Sequence, residues 1–170
     1  MFGPFPAKLK AMISIERSLK QAAWADDLLF AAVAQMPEAA LAATYATAEW
    51  HVGRLLNHIV SGAEWYRYIL KGSMWTDLVV PSTSAEVSQL RSHLAGLHAE
   101  ILVEAQKDDE LLTFQDEDGP STAMRSTVIT MVAHHSCEHR AQIGAALEIH
   151  GFAGLSLDDL DLWAYEKANG

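Results

Sequence analysis

The run His134-His135-Ser136-Cys137-Glu138-His139-Arg140 concentrates more chemistry than any other stretch of the chain. On a helix turning about 100° per residue, His135 and His139 stand one turn apart and within about 40° of each other. Two imidazoles at that spacing form a bidentate grip for a divalent metal ion. Cys137 points about 200° away from His135 and is not expected to be a ligand, and His134 lies about 100° off the face. Gln142 returns to within about 20° of His135, where it can orient a ligand or a bound water.

A helical histidine pair on its own is equally a solvent-facing or satisfied core pair, so a third donor matters. His58 sits in Leu55-Leu56-Asn57-His58-Ile59-Val60, where apolar neighbours turn its face toward a core. An unpaired ring buried there costs about 1–3 kcal/mol. A metal ion shared with the later pair supplies the missing partner. His51 lies two turns earlier, about 10 Å away, and can only line the approach. His93 and His98 read as ordinary surface or boundary histidines.

Two rival metal patterns compete with this reading. Residues 135–139 spell H-x-x-E-H, a peptidase signature in which Glu138 is the general base beside a zinc-bound water. A peptidase also needs a substrate cleft and a further acidic ligand, so the three-histidine reading is preferred. A di-iron carboxylate bundle needs paired Glu-x-x-His motifs, and no glutamate of this chain has a histidine three residues on.

These histidines must be held by helices, and the apolar spacing supplies four. The first runs from Pro6 to about Met36 through Leu9, Ile13, Leu19, Ala23, Leu28, Leu29 and Val33, and Pro37 ends it. Thr47 can cap a second helix reaching Leu70, with Gly72 as its stop. Residues 73–83, with Trp75 and Pro81, read as a loop. Ser84 can cap a third helix, through Val87, Leu90, Leu94, Leu97, Ile101 and Leu102, that ends at Asp108-Asp109. Residues 111–119 are the one stretch suited to extended structure, and Asp118-Gly119-Pro120 is a turn. A fourth helix is expected from about Ser121 to His150, closed by Gly151, and a short amphipathic tail from Asp158 to Ala168. The expected class is therefore all-α, a four-helix bundle with a short C-terminal helix.

Bulk properties agree. The 170 residues fit one domain, with half of them hydrophobic. A single cysteine requires no oxidising compartment. Neither a membrane-spanning run nor a secretory signal is read in the sequence. Net charge is −10, from 12 basic and 22 acidic residues, which disfavours nucleic acid as a partner. A cytoplasmic enzyme or binding protein is expected, with oligomeric state open and a homodimer as one outcome.

The chain also resembles the DinB/YfiT-like family of metal-dependent proteins over nearly its whole length. The resemblance rests on Ala23-Trp24-Ala25-Asp26-Asp27-Leu28-Leu29 in the first helix, His58 leading to Glu64-Trp65 in the second, His-x-x-x-His-Arg-x-Gln at His135 to Gln142, and the apolar, Asp-containing tail Leu157 to Tyr165. It departs from the family where Glu138 replaces the first of two adjacent histidines, and where Ala141 replaces a glycine. The resemblance implies an up-down-down-up bundle with the three ligand positions on His58, His135 and His139. Three imidazoles leave a coordination position open on zinc or nickel. Related members look like thiol-dependent S-transferases or isomerases, which implies a small-molecule substrate and a low-molecular-weight thiol activated by the metal. The alternative is a non-catalytic metal-binding or interaction module. Glu138, Arg140 and Gln142 are then supporting residues around the site, and Trp24, Trp50 and Trp65 are either pocket walls or ordinary core aromatics.

Overall fold

A computed structural model describes residues 14–170. It is mostly helical, with five α-helices and one small sheet among the described residues. These are α1 (Ile15–Ala34), α2 (Val52–Lys71), α3 (Ser84–Glu104), β1 (Leu111–Asp116), β2 (Gly119–Met124), α4 (Arg125–Ile149) and α5 (Leu162–Asn169). The expected start of the first helix, with Leu9 and Ile13, lies outside the described residues.

The helix ends follow local chemistry, shifted slightly from the sequence expectation. Helix α2 begins later than Thr47 suggests, because the His51 side chain caps it: Nδ1 accepts from the Arg54 amide at 3.3 Å. His51 thus has a role at the helix terminus, and its Nδ1 also lies 3.0 Å from the Leu41 carbonyl oxygen. Helix α3 is capped by Thr83 rather than Ser84, in a reciprocal box with Glu86. At the end of α2, Gly72 adopts φ 70°, a conformation only glycine takes without steric cost.

The extended stretch 111–119 is one half of an antiparallel hairpin, with Leu111 opposite Met124 and Asp116 opposite Gly119. Its second strand occupies Gly119–Met124, so α4 starts at Arg125 and not at Ser121. The expected helical architecture holds in its coarse form, and this small two-stranded sheet is added to it. Arg125 fixes the junction: its guanidinium donates to Glu104 at 2.9 Å and to Glu110 at 2.5 Å, and it is 5% exposed.

Helix α1 packs against α3 and α4, and α2 packs against the same two helices. The core between them holds Leu19, Leu29, Phe30, Leu55, Leu56, Ile59, Leu97, Ile101, Ile143 and Leu147, all essentially inaccessible. Each such side chain contributes about 1.5–3 kcal/mol by leaving water, which is what holds α2 and α4 side by side. Between α2 and α3, buried Glu64 fastens the intervening loop by accepting from the Thr76 amide at 2.8 Å, and it also meets His93 Nε2 at 2.5 Å. No helix among the described residues is long and apolar enough to cross a membrane.

Candidate metal centre

Three of the eight histidines meet where α2 faces α4. His58 comes from the middle of α2, and His135 and His139 from successive turns of α4. One ring nitrogen from each lies within 4.8 Å of those of the other two. His135 Nε2 stands 3.3 Å from His58 Nε2 and 3.1 Å from His139 Nε2. His139 is 7% exposed, and the other two are partly buried.

The donor set suits a cation. Gln142 Oε1 accepts from His139 Nδ1 at 2.7 Å, which selects the tautomer whose lone pair is on Nε2, facing the other two rings. No carboxylate belongs to the cluster, so a shared positive ion is the partner that satisfies three converging nitrogens together. Nitrogens about 2.0–2.1 Å from a tetrahedral zinc stand about 3.3–3.4 Å apart. The 3.1 and 3.3 Å separations match that arrangement within a few tenths of an ångström. The three histidines are therefore positioned to bind one metal ion.

Electrostatics keep two of the rings in the ligand form. Burial pushes His135 down to about 4, assisted by its neighbours His139 and His58 and opposed by Asp26. Burial also lowers His58, with His139 and Arg54 adding to the effect and Glu138 opposing it. Both rings are neutral near pH 7, with lone pairs free for a metal.

The surroundings fix the rings in place. Trp50 stacks on His139, with ring centroids 6.3 Å apart and planes 8° apart, and meets His58 edge-on at 5.3 Å. Tyr66 meets His135 edge-on at 5.8 Å. Gly62 lies one turn beyond His58, and a Cβ there would stand 2.7 Å from His135 Nδ1. That glycine leaves the space the His135 ring occupies. A glycine inside a helix, one turn from a proposed ligand, is the sequence signal that marks this role.

Other sequence expectations resolve as follows. Gln142 orients His139, as its position on the helical face suggests. Cys137 is exposed and outside the cluster. Glu138 is exposed and makes no hydrogen bond to the three rings among the described residues. Arg140 turns to the far side of α4, where it is 5% exposed and donates to Asp26 at 2.6 Å. Trp50 walls the centre, Trp24 packs edge-on against Tyr165 instead, and Trp65 stacks with Tyr68 and Trp75 near the hairpin.

Sequence reasoning missed the group behind the centre. Asp26 is wholly buried in α1 and accepts from Ser136 and Arg140 of α4 and from His98 Nε2 of α3, the last at 3.0 Å. His98 is 6% exposed, so its reading as a surface or boundary residue is corrected. Burial alone would raise the Asp26 pKa, but His98, Arg140 and Ser136 hold it below the usual carboxylate range. This ionised group ties the helix carrying two of the histidines to two others. His93, also read as a surface histidine, is partly buried and engaged with Glu64.

A helical bundle with three histidines converging between two of its helices defines a class of metal-site proteins. The chain matches the model of the DinB family over residues 9–168 and belongs to that family. No curated protein sequence matches the chain.

Proposed function

We propose that His58, His135 and His139 hold one divalent ion, zinc or nickel, at the centre of a metal-dependent enzyme. The activity we propose is transfer or isomerisation with a low-molecular-weight thiol as co-substrate and a small molecule as acceptor. The observation that carries the metal reading is the convergence of three Nε2 atoms, 3.1 and 3.3 Å apart along the chain of contacts, with His139 held in one tautomer by Gln142. A bound ion of this kind lowers the pKa of a coordinated thiol and so favours the nucleophilic thiolate at neutral pH.

The residues of this chain then do the positioning. Gln142 holds the His139 ring in its ligand orientation. Trp50 covers His139 and His58 on one side and limits water there. Arg140 is engaged with Asp26 and supports the helix from behind rather than meeting substrate.

The remaining proposals concern setting. An up-down-down-up path is supported by contacts that run in step between α2 and α3 (Glu64 with His93, Lys71 with Glu100) and in opposite order between α1 and α3 (Asp26 with His98, Asp27 with Arg91). We place the protein in the cytoplasm as one domain, with no nucleic-acid partner, as its charge of −10 favours.

The test uses protein loaded with cobalt(II), whose visible spectrum reports its ligands. Adding 2-mercaptoethanol or cysteine should produce a thiolate-to-metal charge-transfer band, and thiol-dependent turnover should follow with an electrophilic acceptor. A metal-loaded protein whose spectrum no thiol changes would overturn the thiol reading and favour the non-catalytic binding module.

A further inference from the structure

A second feature lies on the other side of Asp26, outside the three-histidine centre. Helices α1, α3 and α5 line an open cavity of about 390 Å³, within the size range of small-molecule sites. Trp24 and Tyr165, edge to face at 5.5 Å, form one wall, and Leu94 and Leu102 add apolar surface. None of His58, His135 or His139 lines it.

The polar groups around this cavity are almost all engaged. Arg91 is bound twice to Asp27, at 2.6 and 2.7 Å, and Lys20 meets Glu16 at 2.6 Å. No basic side chain there is left to call for an anionic ligand. His98 differs. Its Nε2 donates to Asp26 Oδ2 at 3.0 Å, and in the tautomer that carries its one proton on Nε2 the other ring nitrogen, Nδ1, is a hydrogen-bond acceptor. Nδ1 has no hydrogen-bond partner among the described residues. The one enclosed side-chain polar atom left unpartnered among those residues is Arg67 Nε. His98 Nδ1 therefore keeps access to free space, although the residue is 94% buried (6% exposed), and the space His98 lines is this cavity.

We propose that the cavity between α1, α3 and α5 is a binding site for a small, neutral, aromatic molecule carrying one hydrogen-bond donor, whose ring packs on Trp24 and Tyr165 and whose donor reaches His98 Nδ1. A phenol is the simplest ligand of this kind. Aromatic walls with one placed polar atom orient such a ring and select for its donor. An acceptor fixed by a buried carboxylate favours a hydroxyl over a methyl group at that point.

The test titrates phenol and, separately, toluene into the full metal-loaded chain, followed by calorimetry and by NMR of the Trp24 and Tyr165 side chains. Phenol should bind saturably in the millimolar range expected of a fragment and shift both aromatic signals. His98→Phe keeps an aromatic ring but removes the acceptor. It should weaken phenol by about three- to tenfold, the worth of one neutral hydrogen bond, and leave toluene within about twofold. Ala99→Trp, at an exposed wall position of α3, should fill the cavity and abolish binding of both, with metal content unchanged. The proposal is overturned by any of four results: no saturable phenol binding, equal loss of phenol and toluene in His98→Phe, undiminished binding in Ala99→Trp, or shifts confined to the three histidines.

Discussion

Replacing Gly62 with alanine should damage the metal centre while sparing the fold. The added Cβ would stand 2.7 Å from His135 Nδ1 and 3.2 Å from Nε2, against an ordinary contact of 3.4 Å or more. The ring must retreat by at least about 0.7 Å to clear Nδ1, the difference between 3.4 and 2.7 Å, and further to clear Cε1, which lies nearer still. Metal–ligand distances tolerate only about 0.2 Å, so the displaced imidazole no longer fits the position set by the other two. Loss of a correctly placed ligand should weaken binding by at least the 10–100-fold typical of lost outer-shell support. The fold responds differently. The atoms in the way belong to a side chain that can swing, and alanine favours a helix interior by about 0.5–1 kcal/mol over glycine. Metal-free Gly62→Ala should therefore melt within about 4 °C of the native chain. Competition with a chromophoric chelator gives the zinc affinity, and circular dichroism gives the melting temperature. Equal zinc affinity in the two proteins would refute the reasoning, because His135 would then not need the space Gly62 leaves.

Three further outcomes follow from the same contacts. Gln142→Leu should weaken metal binding about 10–100-fold, and Gln142→Glu should restore most of it, because the acceptor for His139 Nδ1 returns; calorimetric zinc titration reads both. Asp26→Asn leaves buried Arg140 without its carboxylate, and breaking a buried ion pair costs about 3–5 kcal/mol, measurable as a lower urea midpoint. In the metal-free protein, burial holds His135 at about 4 against an ordinary value of 6.5. Between those values the unfolded chain takes up a proton that the folded one refuses, so stability falls as pH drops from about 6.5 toward 4. Asp27 (held low by Arg91) and Glu64 (held low by Thr76, His93 and Arg67 despite its burial) extend that loss to lower pH. Urea midpoints of the metal-free chain should be flat from pH 7 to 8 and fall steadily below 6.5; a midpoint unchanged down to pH 4 would contradict the assignment.

Helical periodicity made much of this architecture legible. His135, His139 and Gln142 share a face by residue spacing alone, and the apolar flanks of His58 point it inward. The same wheel turns Cys137 away from that face. What escaped depended on partners remote in the chain. His98 looks like a surface residue until Asp26, 72 positions earlier, is known to face it. The second hairpin strand escaped because Ser121-Thr122-Ala123-Met124 has no strong strand pattern of its own; pairing with Leu111–Phe114 makes it a strand. Caps shifted by one to four residues for a similar reason, since His51 serves as a cap that residue preference does not anticipate.

The central claim is a single metal ion held by three imidazoles, and metal content tests it most directly. Protein purified without a histidine tag or chelators should carry about one zinc or nickel per chain, with X-ray absorption showing imidazole nitrogens at about 2.0–2.1 Å if the ion is zinc. The His58→Ala, His135→Ala double variant should lose that metal while remaining helical. Undiminished, stoichiometric metal in the double variant would contradict the account.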